Sequence, residues 1–211
     1  MGWKQTQQIA LKSWINTQEW DVFGALNFSS LHHIRNADRD DVCGKMWRSY
    51  FGAVDHALYG KQRKNQSRFQ RVVFVQYGGN NDYPHVHFLA KSPINTEEFC
   101  IVLNAIWASM YTSSARPVSN EFTPTIKQSG AIGYGLHEFY RFEDKTLDLR
   151  LSNFSQYAPH VCVRDDALAR LKQQATLKNQ ILARLEFPNH VQAAQARKDR
   201  RERKAVAAML R

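Results

Sequence analysis

The residues most able to do chemistry lie in Asp82-Tyr83-Pro84-His85-Val86-His87-Phe88-Leu89-Ala90, where two histidines flank one apolar residue. Side chains two apart on a strand share a face. His85 and His87 therefore present two imidazoles side by side, while Val86, Phe88 and Ala90 alternate into a core. Imidazole is a common metal ligand, and two of them on a rigid strand make a partial divalent-cation site at little ordering cost. Gln76 lies near the end of the preceding apolar run, and a hairpin would bring its side-chain oxygen beside the rings. Two nitrogens and an oxygen leave positions for water and a phosphate oxygen, which suits Mg²⁺ or Mn²⁺. Asp82 competes as the third ligand. The competing structural reading makes the histidines ordinary hydrogen-bonded strand residues and Gln76 a surface residue.

A second group lies in Gly130-Ala131-Ile132-Gly133-Tyr134-Gly135-Leu136-His137-Glu138-Phe139-Tyr140-Arg141. At helical spacing Ile132, Leu136 and Phe139 share a buried face, and Tyr134, His137, Glu138 and Arg141 share another. Gly133 and Gly135 weaken the helix and would clear space for a substrate beside the Tyr134 phenol. A phenol becomes a good nucleophile only when a metal or a base activates it. His137 and Glu138 are the local candidates. Tyr140 is a poorer nucleophile, because six residues amount to about 240° of helix rotation. Without such a role, Tyr134 is an amphipathic anchor at a helix edge.

These groups depend on elements to position them. Trp3, Ile9, Ala10, Trp14 and Ile15 predict a short amphipathic helix over residues 3–19. Val22 to Phe28 is apolar at nearly every position, which predicts a central strand. Met46, Trp47, Tyr50, Phe51, Val54 and Leu58 recur at helical spacing, with Asp38 to Asp41 near the start. Val72 to Tyr77 predicts a strand, Gly78 to Asp82 a turn, and His85 to Ala90 the return strand of a hairpin. Asn95 followed by Glu98 is a capping-box pattern ahead of a helical stripe ending at Met110. Residues 121–127 and 147–151 read as further strands, the latter at an edge. Beyond Asp165 and Asp166 a long helical pattern runs to Leu185 and ends near Pro188, followed by a basic run from Arg197 to Lys204. The order β-α-β-β-α-β-α predicts an antiparallel sheet with helices on one face, an α+β architecture.

The chain has 211 residues, 43% of them hydrophobic, enough to bury a core. Its formal net charge of +10 points to a polyanionic partner, nucleic acid before a membrane surface. No apolar run approaches the roughly 20 residues needed to span a bilayer, and the N-terminus lacks a signal-peptide pattern. Cys43, Cys100 and Cys162 are odd in number and widely spaced, which predicts reduced thiols in a cytoplasmic protein.

Three stretches carry a resemblance: the apolar run Val22–Ser29, the stretch Gln76–Ala90 with its His-x-His, and the helix Gly130–Tyr140 with Tyr-x-x-His. In that order they resemble the three motifs of the HUH endonuclease superfamily, most closely the rolling-circle replication initiators of small plasmids, phages and single-stranded DNA viruses. The likeness covers roughly residues 20–145. It implies a ferredoxin/RRM-like nuclease domain over residues 15–160 and a basic helical extension over 161–211. It also implies that His85, His87 and Gln76 hold Mg²⁺ or Mn²⁺, with Tyr134 the nucleophile and His137 its helper. Relatives usually carry lysine where His137 stands and an acidic residue at the position of Gln76. The activity implied is metal-dependent nicking and joining of single-stranded or origin DNA through a 5′-phosphotyrosine. Unwinding and synthesis would then fall to a host helicase and polymerase, with the protein a monomer or weak oligomer. Lys61, Arg63, Lys64, Arg68, Arg141, Arg200 and Arg201 would grip phosphates, and Tyr83 would stack on an unpaired base. A transposase or relaxase with the same chemistry, and a non-catalytic nucleic-acid-binding module, are the alternatives.

Overall fold

The computed structural model describes residues 2–28, 31, 34–60, 68–79, 83–110, 122–125 and 128–155. All of them belong to one compact unit, Met1–Ala175. Lys61, Arg63, Lys64, Asp82, Cys162, Arg200, Arg201 and the expected helical extension lie outside the described residues.

The elements are α1 (Trp3–Asn16), β1 (Val22–Leu26), α2 (Asn36–Tyr59), β2 (Arg71–Gln76), β3 (His85–Ala90), α3 (Thr96–Ser109), β4 (Thr123–Pro124), α4 (Gln128–Gly135) and α5 (Phe139–Phe142). A 3-10 turn, Glu143–Thr146, follows. The strands form one sheet in the order β2-β3-β1-β4, antiparallel throughout. Helix α2 connects β1 to β2 around the intervening β3, and α3 connects β3 to β4 around the intervening β1. The result is two interleaved split β-α-β units. β1 sits centrally, as its unbroken apolar run predicts. β4 has two residues, ends in Pro124 and occupies an edge, where a missing N–H is tolerated.

Helices cover both faces of the sheet, which corrects the expectation of one. On the first face, Val73, Val75, Val86 and Phe88 pack with Trp47, Tyr50, Phe51 and Val54 of α2 and with Phe99, Leu103, Ile106 and Trp107 of α3. On the second, Val72, Phe74 and Leu89 pack with Ile15 of α1, Trp20, and Ile132, Leu136 and Phe139 from the α4–α5 segment. The physical reason lies in the register. Phe74 pairs with His87 and Val72 with Leu89, so the histidine face carries too much apolar surface to be left in water.

Asn95 caps α3, its side chain accepting from the N–H groups of Glu97 and Glu98. The expected edge strand over 147–151 is a turn instead. Asp148 Oδ1 accepts from the N–H groups of Arg150 and Leu151 at 2.8 and 3.1 Å, and such an Asx turn competes with strand pairing. Two isolated bridges, Phe74 to Leu147 and Arg71 to Asn153, stand where a continuous ladder with β2 would be. Cys43 and Cys100 are buried free thiols.

A buried ion pair ties α2 to the start of β2. Arg71 Nη1 and Nη2 donate to Asp55 Oδ1 and Oδ2 at 3.0 and 3.2 Å, and Arg71 Nε donates to the Leu151 carbonyl at 2.8 Å. The guanidinium lies over the rings of Phe51 and Phe69, at 4.7 and 4.4 Å from their centroids. Desolvation raises the Asp55 carboxyl and lowers the Arg71 guanidinium, and each is opposed by the charge of the other.

Candidate active site

His85 and His87 project from β3 onto the second face, with ring centroids 5.1 Å apart and planes nearly perpendicular. His85 Nδ1 lies 3.0 Å from the Tyr83 carbonyl. With Nδ1–H donating there, Nε2 keeps its lone pair for a ligand. His87 is 5% exposed and stacks parallel on Phe23 at 5.5 Å. Neither of its ring nitrogens has a hydrogen-bond partner among the described residues. Burial, then the neighbouring His85 and His137, pushes His87 down to about 3. Burial lowers His85 as well. Both rings are therefore neutral at neutral pH, the form that binds a metal.

Gln76 pairs with His85 across the β2–β3 ladder, as the hairpin reading predicts. Its side chain is fully buried. Nε2 donates to the carbonyl oxygens of Tyr134 at 2.8 Å and Gly135 at 3.1 Å. Because carbonyls only accept, the amide nitrogen must face them. Oε1 has no partner among the described residues. This arrangement explains an amide at position 76. One end anchors the helix that carries Tyr134, and only the other end remains for a cation.

Helix α4 reaches the sheet because of Gly135. A Cβ there would lie 2.5 Å from Phe74 Cδ2, so the helix end rests directly on that ring. The expectation that both glycines clear room for a substrate is thus corrected for Gly135, which serves helix–sheet packing. Gly133 is different, since a Cβ there would meet only Lys12 Nζ at 3.7 Å. Docked in this way, Tyr134 is 53% exposed and sets its ring edge-on to His87 at 4.8 Å and to Phe23 at 6.2 Å.

The single helix expected over 130–141 is broken. α4 stops at Gly135, a turn spans 136–138, and α5 begins at Phe139. His137 Nδ1 lies 2.6 Å from the Tyr134 carbonyl and 3.1 Å from Gln76 Nε2, and its ring centroid is 5.2 Å from that of Tyr134. Its Nε2 sits 3.7 Å from Glu138 Oε1. Glu138 is not on the exposed face with Tyr134. It is 4% exposed, and its oxygens accept from the N–H groups of Tyr77 at 2.8 Å and Gly78 at 3.0 Å. Arg141 donates to the carbonyls of Gly78 and Gly79 at 3.0 and 3.2 Å. These two residues, expected as a base and a phosphate contact, together hold the hairpin turn from its donor and acceptor sides.

Tyr83 is half-buried against the first core rather than an exposed stacking platform. Arg68 is exposed, away from the histidines. Phe23, which supports both His87 and Tyr134, was missed by motif reading. Its signal was the apolar β1 run, which names a strand but no partner. Among the described residues no group of three or more His, Cys, Asp or Glu is placed to hold a metal ion. Gln76, expected beside the two histidines, is an amide and falls outside those residue types.

Neutral His85 and His87 each keep one ring nitrogen with a lone pair, and Gln76 Oε1 is unpartnered among the described residues; these are donors of the kind a small divalent cation takes. The sequence matches no family model and no curated protein, and the fold matches no solved structure. Among the described residues no helix is long and apolar enough to cross a membrane.

Proposed function

We propose that this protein is an HUH-type nuclease with a ferredoxin/RRM-like fold. It nicks and rejoins single-stranded DNA at a replication origin and so initiates rolling-circle replication. The observation that carries the reading is Tyr134, half-exposed and edge-on to His87 at 4.8 Å, across a sheet whose order interleaves two split β-α-β units. A nucleophile and a pair of neutral imidazoles meet there from elements far apart in the chain. The net charge of +10 suits a polyanionic substrate.

His85, His87 and Gln76 Oε1 would hold Mg²⁺ or Mn²⁺, which supplies Lewis-acid polarisation of the scissile phosphodiester. Tyr134 Oη attacks phosphorus, the P–O3′ bond breaks, and the 3′ oxygen leaves as a hydroxyl after taking up a proton. His137, half-exposed beside the phenol, passes the phenolic proton toward solvent. The 5′-phosphotyrosine keeps the phosphodiester energy, so a returning 3′-hydroxyl reseals the strand without a nucleotide cofactor. Unwinding and extension of the free 3′ end belong to a helicase and a polymerase.

The test is incubation with a pool of single-stranded oligonucleotides and Mn²⁺, read by denaturing gel and intact mass. A covalent nucleotide adduct mapped to Tyr134, lost in Tyr134→Phe and His85→Ala, is the expected result. Adducts that persist in Tyr134→Phe would overturn the nucleophile assignment. The amide at position 76 favours one second reading, a binding module without cleavage. Tight, metal-independent binding with no scission would establish it.

A further inference from the structure

Helix α4, which carries Tyr134, is eight residues long and contains Gly130, Gly133 and Gly135. Glycine is a poor helix former, and so short a helix does not persist alone in water. What holds α4 must therefore come from outside it, and α1 with the residues just after it reaches both of its ends. At the start, Gln128 Nε2 donates to the Gln18 carbonyl at 2.6 Å and to Asn16 Oδ1 at 3.2 Å. Gln128 Oε1 accepts from the Trp20 N–H at 3.0 Å. Past the other end, Gln8 Nε2 of α1 donates to the Leu136 carbonyl at 2.9 Å. The same carbonyl accepts from the Phe139 N–H at 3.1 Å, so Gln8 grips the turn where α4 gives way to α5. Gln76 holds the two preceding carbonyls, those of Tyr134 and Gly135, from the sheet.

Tyr134 is the next-to-last residue of α4 and 53% exposed, so its ring goes where that end of the backbone goes. A nucleophile misplaced by about 1 Å loses up to about 100-fold in rate. We infer that Gln8 is a positioning residue for Tyr134, tying the end of its helix to α1 while Gln128 ties the beginning. The catalytic part of this inference rests on the nuclease reading, and the placement of the ring does not.

The test compares Gln8→Met, which keeps the length of the side chain and loses the donor, with Gln5→Met on the exposed part of α1. Adduct formation is followed with the single-stranded oligonucleotide pool and Mn²⁺ over a range of protein concentrations. Gln8→Met is expected to lower the rate constant at saturation by about 10- to 100-fold, with the half-saturating concentration and the Mn²⁺ affinity unchanged. Gln8→Lys, whose ammonium again donates to the carbonyl, is expected to recover most of that rate. A second readout needs no cleavage. Protein labelled with 3-fluorotyrosine gives a ¹⁹F resonance for Tyr134, assigned by its loss in Tyr134→Phe. That resonance is expected to shift and broaden in Gln8→Met and to stay in place in Gln5→Met. An adduct formed equally fast by wild type and Gln8→Met overturns the inference. A loss confined to the Tm and the half-saturating concentration also overturns it, since Gln8 would then only stabilise the fold. If wild type forms no adduct, the nuclease reading falls and the ¹⁹F resonance alone decides: a Tyr134 line unmoved in Gln8→Met overturns the placement, and a shifted one upholds it. Should Gln8→Met fail to fold, Gln128→Met at the other end of α4 carries the same expectations.

Discussion

Replacing Gln76 by glutamate would put an oxygen where an N–H now donates to the carbonyls of Tyr134 and Gly135. A buried carboxylate facing two carbonyl oxygens should cost about 3 kcal/mol or more at pH 7. Burial raises the pKa of that glutamate above its unfolded value, so the folded state binds more protons and part of the loss returns as pH falls. Urea titrations at pH 7 and pH 5 would show it, and wild-type stability at pH 7 would refute the assignment. His87 has the opposite sign. Its folded pKa lies near 3, below the ordinary 6.5, so the unfolded state binds more protons between those values. Stability present above pH 6.5 is lost on acidification toward pH 3, by up to about 1.4 kcal/mol per pH unit. His87→Phe keeps a ring on Phe23 and should remove this component from the pH–stability curve. Identical curves for the two proteins would count against it.

Helix α4 owes its position to one glycine more than to its own propensity. Gly135→Ala would drive a methyl into Phe74, at a cost of about 1–3 kcal/mol. It would also lift Tyr134 away from His87, so adduct formation should fall more than stability alone explains. Gly133→Ala meets only the flexible end of Lys12, and helix propensity should make it neutral or stabilising by up to about 1 kcal/mol. Chemical denaturation and adduct yield of the two variants side by side would check both statements. If Gly133→Ala proved the more damaging, the packing account would fail. The existence of most elements was legible because their signals are local. Period-two alternation marked β3, helical spacing marked α2 and α3, and Asn95 marked the start of α3. The break after Gly135 was not legible. Ile132, Leu136 and Phe139 keep helical spacing across it, and only the contact with Phe74 shows where the helix stops.

Across the molecule, the Asp55–Arg71 pair joins the longest helix to the edge strand β2. Truncation to Asp55→Ala leaves a buried guanidinium without its counter-charge and should cost about 3–5 kcal/mol. Replacing both residues by apolar ones of similar volume should cost much less, and a double-mutant cycle by denaturant titration would measure the difference. Near-equal losses for the single and double variants would show that the pair contributes little. Nothing in the sequence marked this pair, because residues 55 and 71 lie on different elements and local spacing does not say which helix residue meets the start of β2.

Periodicity and residue type alone placed His85 and His87 on one face, brought Gln76 near them across a hairpin, and separated the Val86–Phe88–Ala90 core from them. Each of those statements depends on neighbours along one strand or one hairpin, where geometry is nearly invariant. Tertiary structure alone decided that the histidine face is covered, that Gln76 spends its amide nitrogen on the Tyr134 helix, and that Glu138 and Arg141 hold a turn. Those outcomes depend on which surfaces meet after the chain crosses the sheet twice. A polar side chain takes the partner that folding places beside it, and local spacing carries no information about that partner.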